Sequence, residues 1–223
     1  MRTSKNVPVT LPRLLLFFLV LSLYFNIIFA IREWQRDVVV HVSDGDTFSL
    51  ADGRRVRLLS VDAPEIGRCK SSEAKNRLTQ LVLGKHIRLK DTTHDDYGRI
   101  LASVIVDKLF DYNSLAMINR VMVEEGLGLY HNSGGQYTEV LRSASEVART
   151  GKLGIYSEMC TQIFSKKPTC LIKANIRNNK KTYFLPSCFN YTDVIISTSF
   201  GDAWFCSEKE AAAAGFTKSP TCK

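Results

Sequence analysis

Hydrophobic and polar positions follow two different periods between residues 38 and 150. Five short runs rich in β-branched residues have the composition that is typical of β-strands. These strands are predicted at 38–42, 47–50, 56–61, 86–89 and 99–106. Apolar residues at helical spacing, each run closed by a glycine, predict helices at 71–83, 114–125 and 138–149. Helices after the third and fifth strands predict an α+β fold, a small closed β-barrel with a helical cover.

A separate pattern occupies the N-terminus. Residues 14–31 carry no charge and only two polar side chains, Ser22 and Asn26. As a helix they would span about 27 Å, close to the hydrocarbon thickness of a bilayer. Because basic residues precede this run, it predicts a transmembrane anchor with residues 1–13 in the cytoplasm and the following chain outside. A signal peptide cleaved after Ala30, which would leave a secreted protein, and a buried core helix are the alternatives.

The chain changes character after Cys160. Residues 161–169 are polar and predict a linker. It would join a barrel domain at 37–160 to a small C-terminal module at 170–223. Within this module, residues 182–185 are the single predicted strand.

Cysteines are concentrated in the C-terminal module. The chain contains Cys69, Cys160, Cys170, Cys188, Cys206 and Cys222. No C-x-x-C occurs, so the usual zinc-binding spacing is missing. An exported chain can form disulfides, and we expect them to staple the small module. All fifteen pairings remain open at this point.

Charge is distributed unevenly along the chain, whose formal net charge is +8. Residues 1–36 contain 5 basic and 1 acidic side chains, a balance of +4. Residues 37–160 contain 16 and 17, a balance of −1, and residues 161–223 contain 9 and 4, a balance of +5. The positive charge therefore lies at the two ends, which excludes a uniformly basic nucleic-acid binder.

Four carboxylates flank the second and third predicted strands. Asp44 and Asp46 precede the second strand, and Asp62 and Glu65 follow the third. Carboxylates near the ends of adjacent strands can converge on one pocket, and hard cations such as Ca²⁺ prefer oxygen ligands. The alternative for residues 44–47 is a solvated turn.

Two arginines are candidates for binding an anion near these carboxylates. Arg57 lies between apolar neighbours in the third predicted strand, so its burial would require a partner. Spacing alone leaves a structural salt bridge and a site role equally open for Arg57, and it favours a structural role for Arg99. Two guanidinium groups beside a hard-metal site suit phosphoryl transfer, because they can form paired bonds to phosphate oxygens.

Several blocks of this sequence together resemble the staphylococcal-nuclease family. They are Asp44-Gly45-Asp46-Thr47, Val56-Arg57-Leu58-Leu59-x-Val61-Asp62-Ala63-Pro64-Glu65 and Asp95-x-Tyr97-Gly98-Arg99, with closing segments at Gly126-Leu127 and Gly154-Ile155-Tyr156-Ser157-Glu158. The resemblance covers residues 38–158. It implies a five-stranded OB-type barrel with three helices. It also implies Ca²⁺-dependent hydrolysis of the 5′ P–O bond in DNA or RNA, leaving 3′-phosphate ends.

The resemblance implies a metal site. Asp46 and Asp62 match the calcium carboxylates of the family, and Ala63 matches a residue that binds the metal through its main-chain carbonyl. Asp44 and Thr47 match positions that support the metal indirectly, through water or through its ligands.

The resemblance also implies catalytic and substrate-binding residues. Glu65 matches the residue that orients or deprotonates the attacking water, and Arg57 and Arg99 match the pair that binds the phosphate. Tyr97 and Tyr130 are the candidate substrate contacts. Because the loop after Tyr130 is shorter than is usual in the family, we expect weaker substrate affinity or a different preference.

The resulting hypothesis is a membrane-anchored, monomeric nuclease that uses Ca²⁺ and no small-molecule cofactor and acts on DNA, RNA or both. The alternatives are a catalytically inactive barrel that binds nucleic acid or protein, and a structural surface protein. The C-terminal module resembles a small domain often appended to bacterial nucleases of this type. Its balance of +5 fits contact with phosphates, contact with anionic lipid, or a solvated face.

Overall fold

The computed structural model describes residues 10–107, 115–177 and 180–222. Residues 1–9 of the predicted cytoplasmic segment and residue 114, the predicted start of the second barrel helix, lie outside the described residues. The elements before Cys160 are α1 (Thr10–Gln35), β1 (Val39–Val42), β2 (Thr47–Leu50), β3 (Arg55–Leu58), β4 (Val61–Asp62), α2 (Ser71–Val82), β5 (Ile87–His94), β6 (Ile100–Asp107), β7 (Leu115–Met117), α3 (Ile118–Glu124), β8 (Leu129–Tyr130), α4 (Thr138–Thr150) and a 3₁₀ turn (Gly154–Tyr156).

One mixed sheet organises this part of the chain, with strand order β1-β2-β3-β6-β5. Neighbouring strands are antiparallel except for β3 and β6, which run parallel. The two ends of the sheet meet, because Val38 bridges to His86 and the Val39 amide donates to the Lys85 carbonyl at 3.0 Å. The predicted α+β architecture with several helices is therefore confirmed, while the OB-type designation stays a prediction.

The core lies between these strands and helices α2, α3 and α4. Val56 and Leu58 of β3 are fully buried, whereas Arg57 between them is only partly buried. The core residues of α2 are Ala74, Leu78 and Val82, at the spacing of one helix face. Burial of each large apolar side chain contributes about 1.5–3 kcal/mol. The alternation in β3 therefore fixes which face of the strand Arg57 occupies.

Two predicted elements are shorter than the pattern indicated. The third strand was predicted at 56–61, but it ends at Leu58, because Ser60 has a φ of 63°, in the left-handed region. The second helix begins at Ile118, because residues Leu115–Met117 pair with β6 as an additional strand. Hydrogen bonds to a neighbouring strand override helical propensity there.

A buried asparagine connects α3 to the parallel strand pair. The Oδ1 atom of Asn119 accepts a hydrogen bond from the Val104 amide at 2.8 Å, and its Nδ2 atom donates to the carbonyls of Leu59 at 2.9 Å and Ala102 at 3.1 Å. Asn119 has no exposed surface. One side chain thus satisfies three backbone groups that would otherwise be buried without a partner.

The second part of the chain forms a small four-stranded sheet with one helix. Its elements are β9 (Thr161–Gln162), β10 (Ile172–Arg177), β11 (Lys180–Phe184), β12 (Ile196–Ser197), a 3₁₀ turn (Thr198–Phe200), β13 (Ala203–Phe205), α5 (Glu208–Ala213) and β14 (Thr217–Lys218). The sheet order is β13-β10-β11-β14, and β9, at the start of the predicted linker, pairs with β12. The single predicted strand at 182–185 therefore belongs to a larger sheet. The domain boundaries stay a prediction.

All six cysteines are paired, as predicted. The disulfides are Cys69–Cys160, Cys170–Cys206 and Cys188–Cys222. Two of them staple the C-terminal module internally. The first joins positions that are 91 residues apart and attaches the segment before α2 to the start of the predicted linker.

The prediction that residues 14–31 form a membrane anchor is wrong. Among the residues described here, no helix combines the length and the apolarity that a membrane crossing requires. The prediction of a single-pass protein with an external catalytic domain is corrected accordingly.

Replacing Asn119 tests its connecting role. We expect Asn119→Ala to lower the free energy of unfolding by about 2–4 kcal/mol, because each buried group left without a partner costs about 1–3 kcal/mol. The measurement is urea unfolding, with Asn132→Ala as control, since the Oδ1 atom of Asn132 accepts one exposed hydrogen bond from the Gly134 amide. Equal losses in the two variants would contradict the assignment.

Candidate active site

The turn between β1 and β2 is shaped by an aspartate. The Oδ1 atom of Asp44 accepts hydrogen bonds from the amides of Asp46, at 3.0 Å, and Thr47, at 2.8 Å. An aspartate that binds the backbone two and three residues later stabilises a tight turn. Asp44 therefore directs the Asp46 side chain toward the interior of the sheet.

Gly45 allows this turn to approach its neighbours closely. A methyl group at Gly45 would lie 2.6 Å from Cβ of Ala74 in α2 and 2.7 Å from Cβ of Ala63 after β4. Both distances are shorter than van der Waals contact, and the neighbours are small side chains with no freedom to move aside. Glycine is required here by space, which brings Asp46 next to the backbone of Ala63.

The carboxylate of Asp46 is buried and fully engaged. Its side chain is 3% exposed. Oδ1 accepts from the Thr47 hydroxyl at 2.7 Å and pairs with Nη1 of Arg57 at 2.8 Å, and Oδ2 accepts from the Ala63 amide at 2.9 Å. Burial raises the pKa of Asp46 from 3.8 to about 6, and it outweighs the opposing influence of Arg57 and the hydrogen bonds. The site therefore holds an anion whose burial is incompletely compensated.

Arg57 bridges two carboxylates. Its Nη1 atom contacts Asp46 at 2.8 Å, and its Nη2 atom donates to Oδ1 of Asp62 at 2.7 Å. One guanidinium group thus reaches both predicted metal ligands, which places them within reach of a single cation. The structure brings together Asp46 and Asp62, which the sequence placed near the ends of two strands, and Arg57, which it placed within the third strand.

His131 is a site residue that the sequence analysis did not identify. Its Nδ1 atom lies 3.1 Å from Oδ2 of Asp62, on the side opposite Arg57, and its amide donates to the Ser60 carbonyl at 3.2 Å. The hydrogen bond to Asp62 raises the pKa of His131. Burial by itself would raise the pKa of Asp62, but His131 and Arg57 together hold it below its usual value. The only sequence signal is the position of His131 directly after Tyr130.

Glu65 differs from the other carboxylates in being free. It follows Ala63 and Pro64 at the end of β4, and its side chain is exposed. Among the residues that the structure describes, none forms a hydrogen bond or ion pair with the Glu65 carboxylate. An exposed carboxylate can accept a proton from water.

Arg99 lies on the same sheet face as Arg57 but has its own partner. Arg57 is in register with Leu101, two residues after Arg99, so the pleat directs both arginines to one face. The Nε atom of Arg99 donates to Oδ2 of Asp95 at 2.6 Å, and its guanidinium carbon lies 5.3 Å from the centroid of the Tyr97 ring. Arg99 contacts neither Asp46 nor Asp62 in any described interaction.

The two candidate substrate tyrosines differ in accessibility. Tyr97 is 82% exposed, so its ring is available for stacking. Tyr130 is partly buried against the core, and its hydroxyl lies 3.4 Å from the Thr138 carbonyl. Tyr130 thus offers less surface to a base than the sequence suggested.

Comparison with known proteins identifies the family of this chain. A family model described as staphylococcal nuclease homologue matches residues 55–158. A micrococcal nuclease from Shigella flexneri is 31% identical over 140 residues, which is 59% of this chain and 80% of that protein. The chain belongs to the family of staphylococcal nuclease homologues. An uncharacterized endonuclease from Haemophilus influenzae is 33% identical over 159 residues, 69% of this chain and 80% of the relative.

The carboxylates of this staphylococcal nuclease homologue have the chemistry of calcium ligands, but they are too few to coordinate the ion by themselves. Asp46 and Asp62 supply hard oxygen ligands, and the raised pKa of Asp46 shows that additional positive charge would stabilise the site. The described residues contain no cluster of three or more acidic, histidine or cysteine ligands. A cation would therefore need backbone or water oxygens as well, and it would compete with Arg57 for both carboxylates.

The pKa of Asp46 predicts a pH dependence of stability in the presence of a chelator. A carboxyl group whose pKa is raised on folding stabilises the protein as the pH falls through about 6 toward 3.8. Between pH 8 and pH 5, wild type should gain about 1.4 kcal/mol relative to Asp46→Asn, since one pKa unit corresponds to about 1.4 kcal/mol. Urea unfolding at the two pH values measures this. A difference that does not change with pH would contradict the assignment.

The pair between His131 and Asp62 predicts a pH dependence of the same sign, since the pKa of His131 is also raised on folding. Because its pKa is raised on folding, His131 stabilises the protein below its unfolded pKa of 6.5 and loses this effect as the pH rises through the folded value. We expect His131→Ala to lower the melting temperature at pH 5.5 and to match wild type more closely at pH 9. The control is His41→Ala, at an exposed position of β1, which should show no such difference between the two pH values.

Proposed function

We propose that this protein is a calcium-dependent nuclease that hydrolyses phosphodiester bonds of DNA, RNA or both. The observation that carries the proposal is the convergence of Asp46 and Asp62 on one guanidinium group, with the exposed Glu65 three residues after Asp62 in the chain. Its relatives are named micrococcal nuclease and endonuclease. The resemblance extends the proposal to cleavage of the 5′ P–O bond, which leaves 3′-phosphate ends.

In the proposed mechanism, Asp46, Asp62 and the Ala63 carbonyl hold the calcium ion. Asp44 and Thr47 keep the Asp46 carboxylate in place through the turn and through the Thr47 hydroxyl. Calcium, when bound, polarises the phosphate and stabilises the negative charge that develops on it. The protein contributes two carboxylates that already lie on one guanidinium group.

Glu65 has the role of general base in this proposal. Its carboxylate is exposed, forms no ion pair within the described part of the chain, and can accept a proton from the attacking water. The neighbouring Ala63-Pro64 segment limits its backbone freedom, since proline fixes φ. A positioned general base contributes about a hundredfold to ten-thousandfold to a reaction rate.

The arginines are proposed to bind the phosphate by exchanging partners. Arg57 is held by Asp46 and Asp62, and Arg99 by Asp95. If a cation were held by the two carboxylates, Arg57 would be released from them and could donate to a phosphate oxygen. Arg99, on the same sheet face, can turn from its exposed ring contact with Tyr97 toward the other phosphate oxygens, where a guanidinium group forms paired hydrogen bonds.

The experiment compares the oxidised full-length protein with three variants on plasmid DNA and single-stranded RNA. We expect cleavage with Ca²⁺ and none with a chelator. Glu65→Gln should lose about a hundredfold or more in kcat, because the carboxylate is replaced by an amide that accepts no proton. Arg99→Lys should also lose activity, because lysine cannot form paired bonds to phosphate.

Glu146→Gln is the matched control, because Glu146 is an exposed glutamate on α4. It should retain full activity. Undiminished cleavage by Glu65→Gln would overturn the assignment of the general base. Absence of cleavage by wild type, together with retained binding to nucleic acid, would support the alternative of an inactive binding barrel.

A further inference from the structure

The segment that carries Glu65 has few contacts of its own. This Glu65 turn, residues 65–70, connects β4 to α2. Its internal backbone bond runs from the Arg68 amide to the Glu65 carbonyl at 3.0 Å. Ile66 is 80% exposed, and Gly67 has a φ of 83°. An exposed turn with little buried apolar surface opens easily unless something else holds it.

The turn is bonded to the start of α2 through Ser71, Glu73 and Ala74. Two further contacts connect it to residues outside both the sheet and α2. Cys69 forms a disulfide with Cys160, which is fully buried. The Arg68 guanidinium lies directly against Gly201 of the C-terminal module, where a methyl group on Gly201 would overlap it. Gly201 itself has a φ of 84°, so both its conformation and its contact with Arg68 favour glycine.

Cys160 is also hydrogen-bonded to the C-terminal module. Its carbonyl accepts hydrogen bonds from the amide of Thr198 at 2.9 Å and from the Thr198 hydroxyl at 3.1 Å. The adjoining strands β9 and β12 pair through Thr161 with Ser197 and Gln162 with Ile196. Cys160, the second cysteine of the disulfide, is therefore hydrogen-bonded to Thr198 and is followed directly by the paired strand β9.

The segment from Ser197 to Gly201 is fixed inside the module by a buried carboxylate. Asp202, whose side chain has no exposed surface, accepts hydrogen bonds from the amides of Ser197 and Ile176, each at 3.0 Å. It also pairs with Nη2 of Arg177 at 3.0 Å. A buried and fully bonded carboxylate of this kind resists local movement. A continuous series of contacts thus runs from β10 to the Glu65 turn.

We propose that the C-terminal module is a brace that fixes the conformation of the Glu65 turn, with Arg68 and the Cys69–Cys160 disulfide as positioning residues. The catalytic consequence of this brace rests on the proposed function of Glu65. Misplacement of a reacting group by about 1 Å can reduce a rate about a hundredfold. Because Glu65 lies on an exposed turn, the position of its carboxylate depends on the contacts that limit the movement of that turn.

The test uses the full-length protein and two ways of releasing the turn. One variant combines Cys69→Ser with Cys160→Ser, and the other is Arg68→Ala. The control is Arg142→Ala, which removes an exposed arginine on α4 outside the brace and the turn. Hydrogen exchange of the amides at 65–71 measures the conformation of the turn. The values of kcat and KM on DNA measure the consequence for the reaction.

We expect both releasing variants to exchange the amides at 65–71 faster than wild type. In both, kcat should fall by roughly ten- to a hundredfold with KM changed less than about threefold, because the base is misplaced while the phosphate contacts remain. The control should keep wild-type exchange in the turn and wild-type kcat.

Unchanged exchange at 65–71 in both releasing variants would overturn the proposal, as would an equal loss of kcat in the control. If removing the first disulfide prevents folding, Arg68→Ala decides by the same two measurements. If wild type cleaves no nucleic acid, the proposed function fails. The brace is then judged by exchange alone, so the two failures are distinguishable.

Discussion

A buried negative charge sets the conditions for the site. The carboxylate of Asp46 is almost completely removed from water, which costs several kcal/mol unless partners replace the lost hydration. The surrounding chain supplies them: the Thr47 hydroxyl, the Ala63 amide and the Arg57 guanidinium all contact the two oxygens. The close approach at Gly45 makes the Ala63 contact possible. The raised pKa shows that these partners do not compensate fully.

This incomplete compensation connects stability with chemistry. Arg57 contacts both Asp46 and Asp62, and His131 contacts the remaining oxygen of Asp62. The same carboxylates are suitable ligands for a hard cation, so the site can exchange one positive partner for another. The buried charge of Asp46 lowers local stability at the position where a charged ligand is expected, which is common at functional sites.

Much of the fold could be predicted from local pattern, and the exceptions have identifiable causes. The β1, β2 and α2 elements lie close to the predicted positions, because their apolar periodicity agrees with their burial. Residues Leu115–Met117 were predicted to be helical but pair with β6, an interaction between distant segments that no local pattern contains. The same limitation hid His131, which reaches Asp62 only because β4 pairs with β8. The apolar N-terminal run predicted a membrane anchor that the described structure does not support.

The sequence by itself determined the family, the strand that carries Arg57, and the identity of the candidate carboxylates, because short motifs and alternation are local properties of the chain. Only the tertiary structure decided which charges meet. It shows Arg57 between Asp46 and Asp62, Arg99 engaged by Asp95, and Glu65 free. It also selected one of the fifteen possible cysteine pairings and brought Cys160, Gly201 and the Glu65 turn together. Such contacts form between segments that lie far apart in the chain. The free energy of their packing cannot be deduced from the residues around any one position.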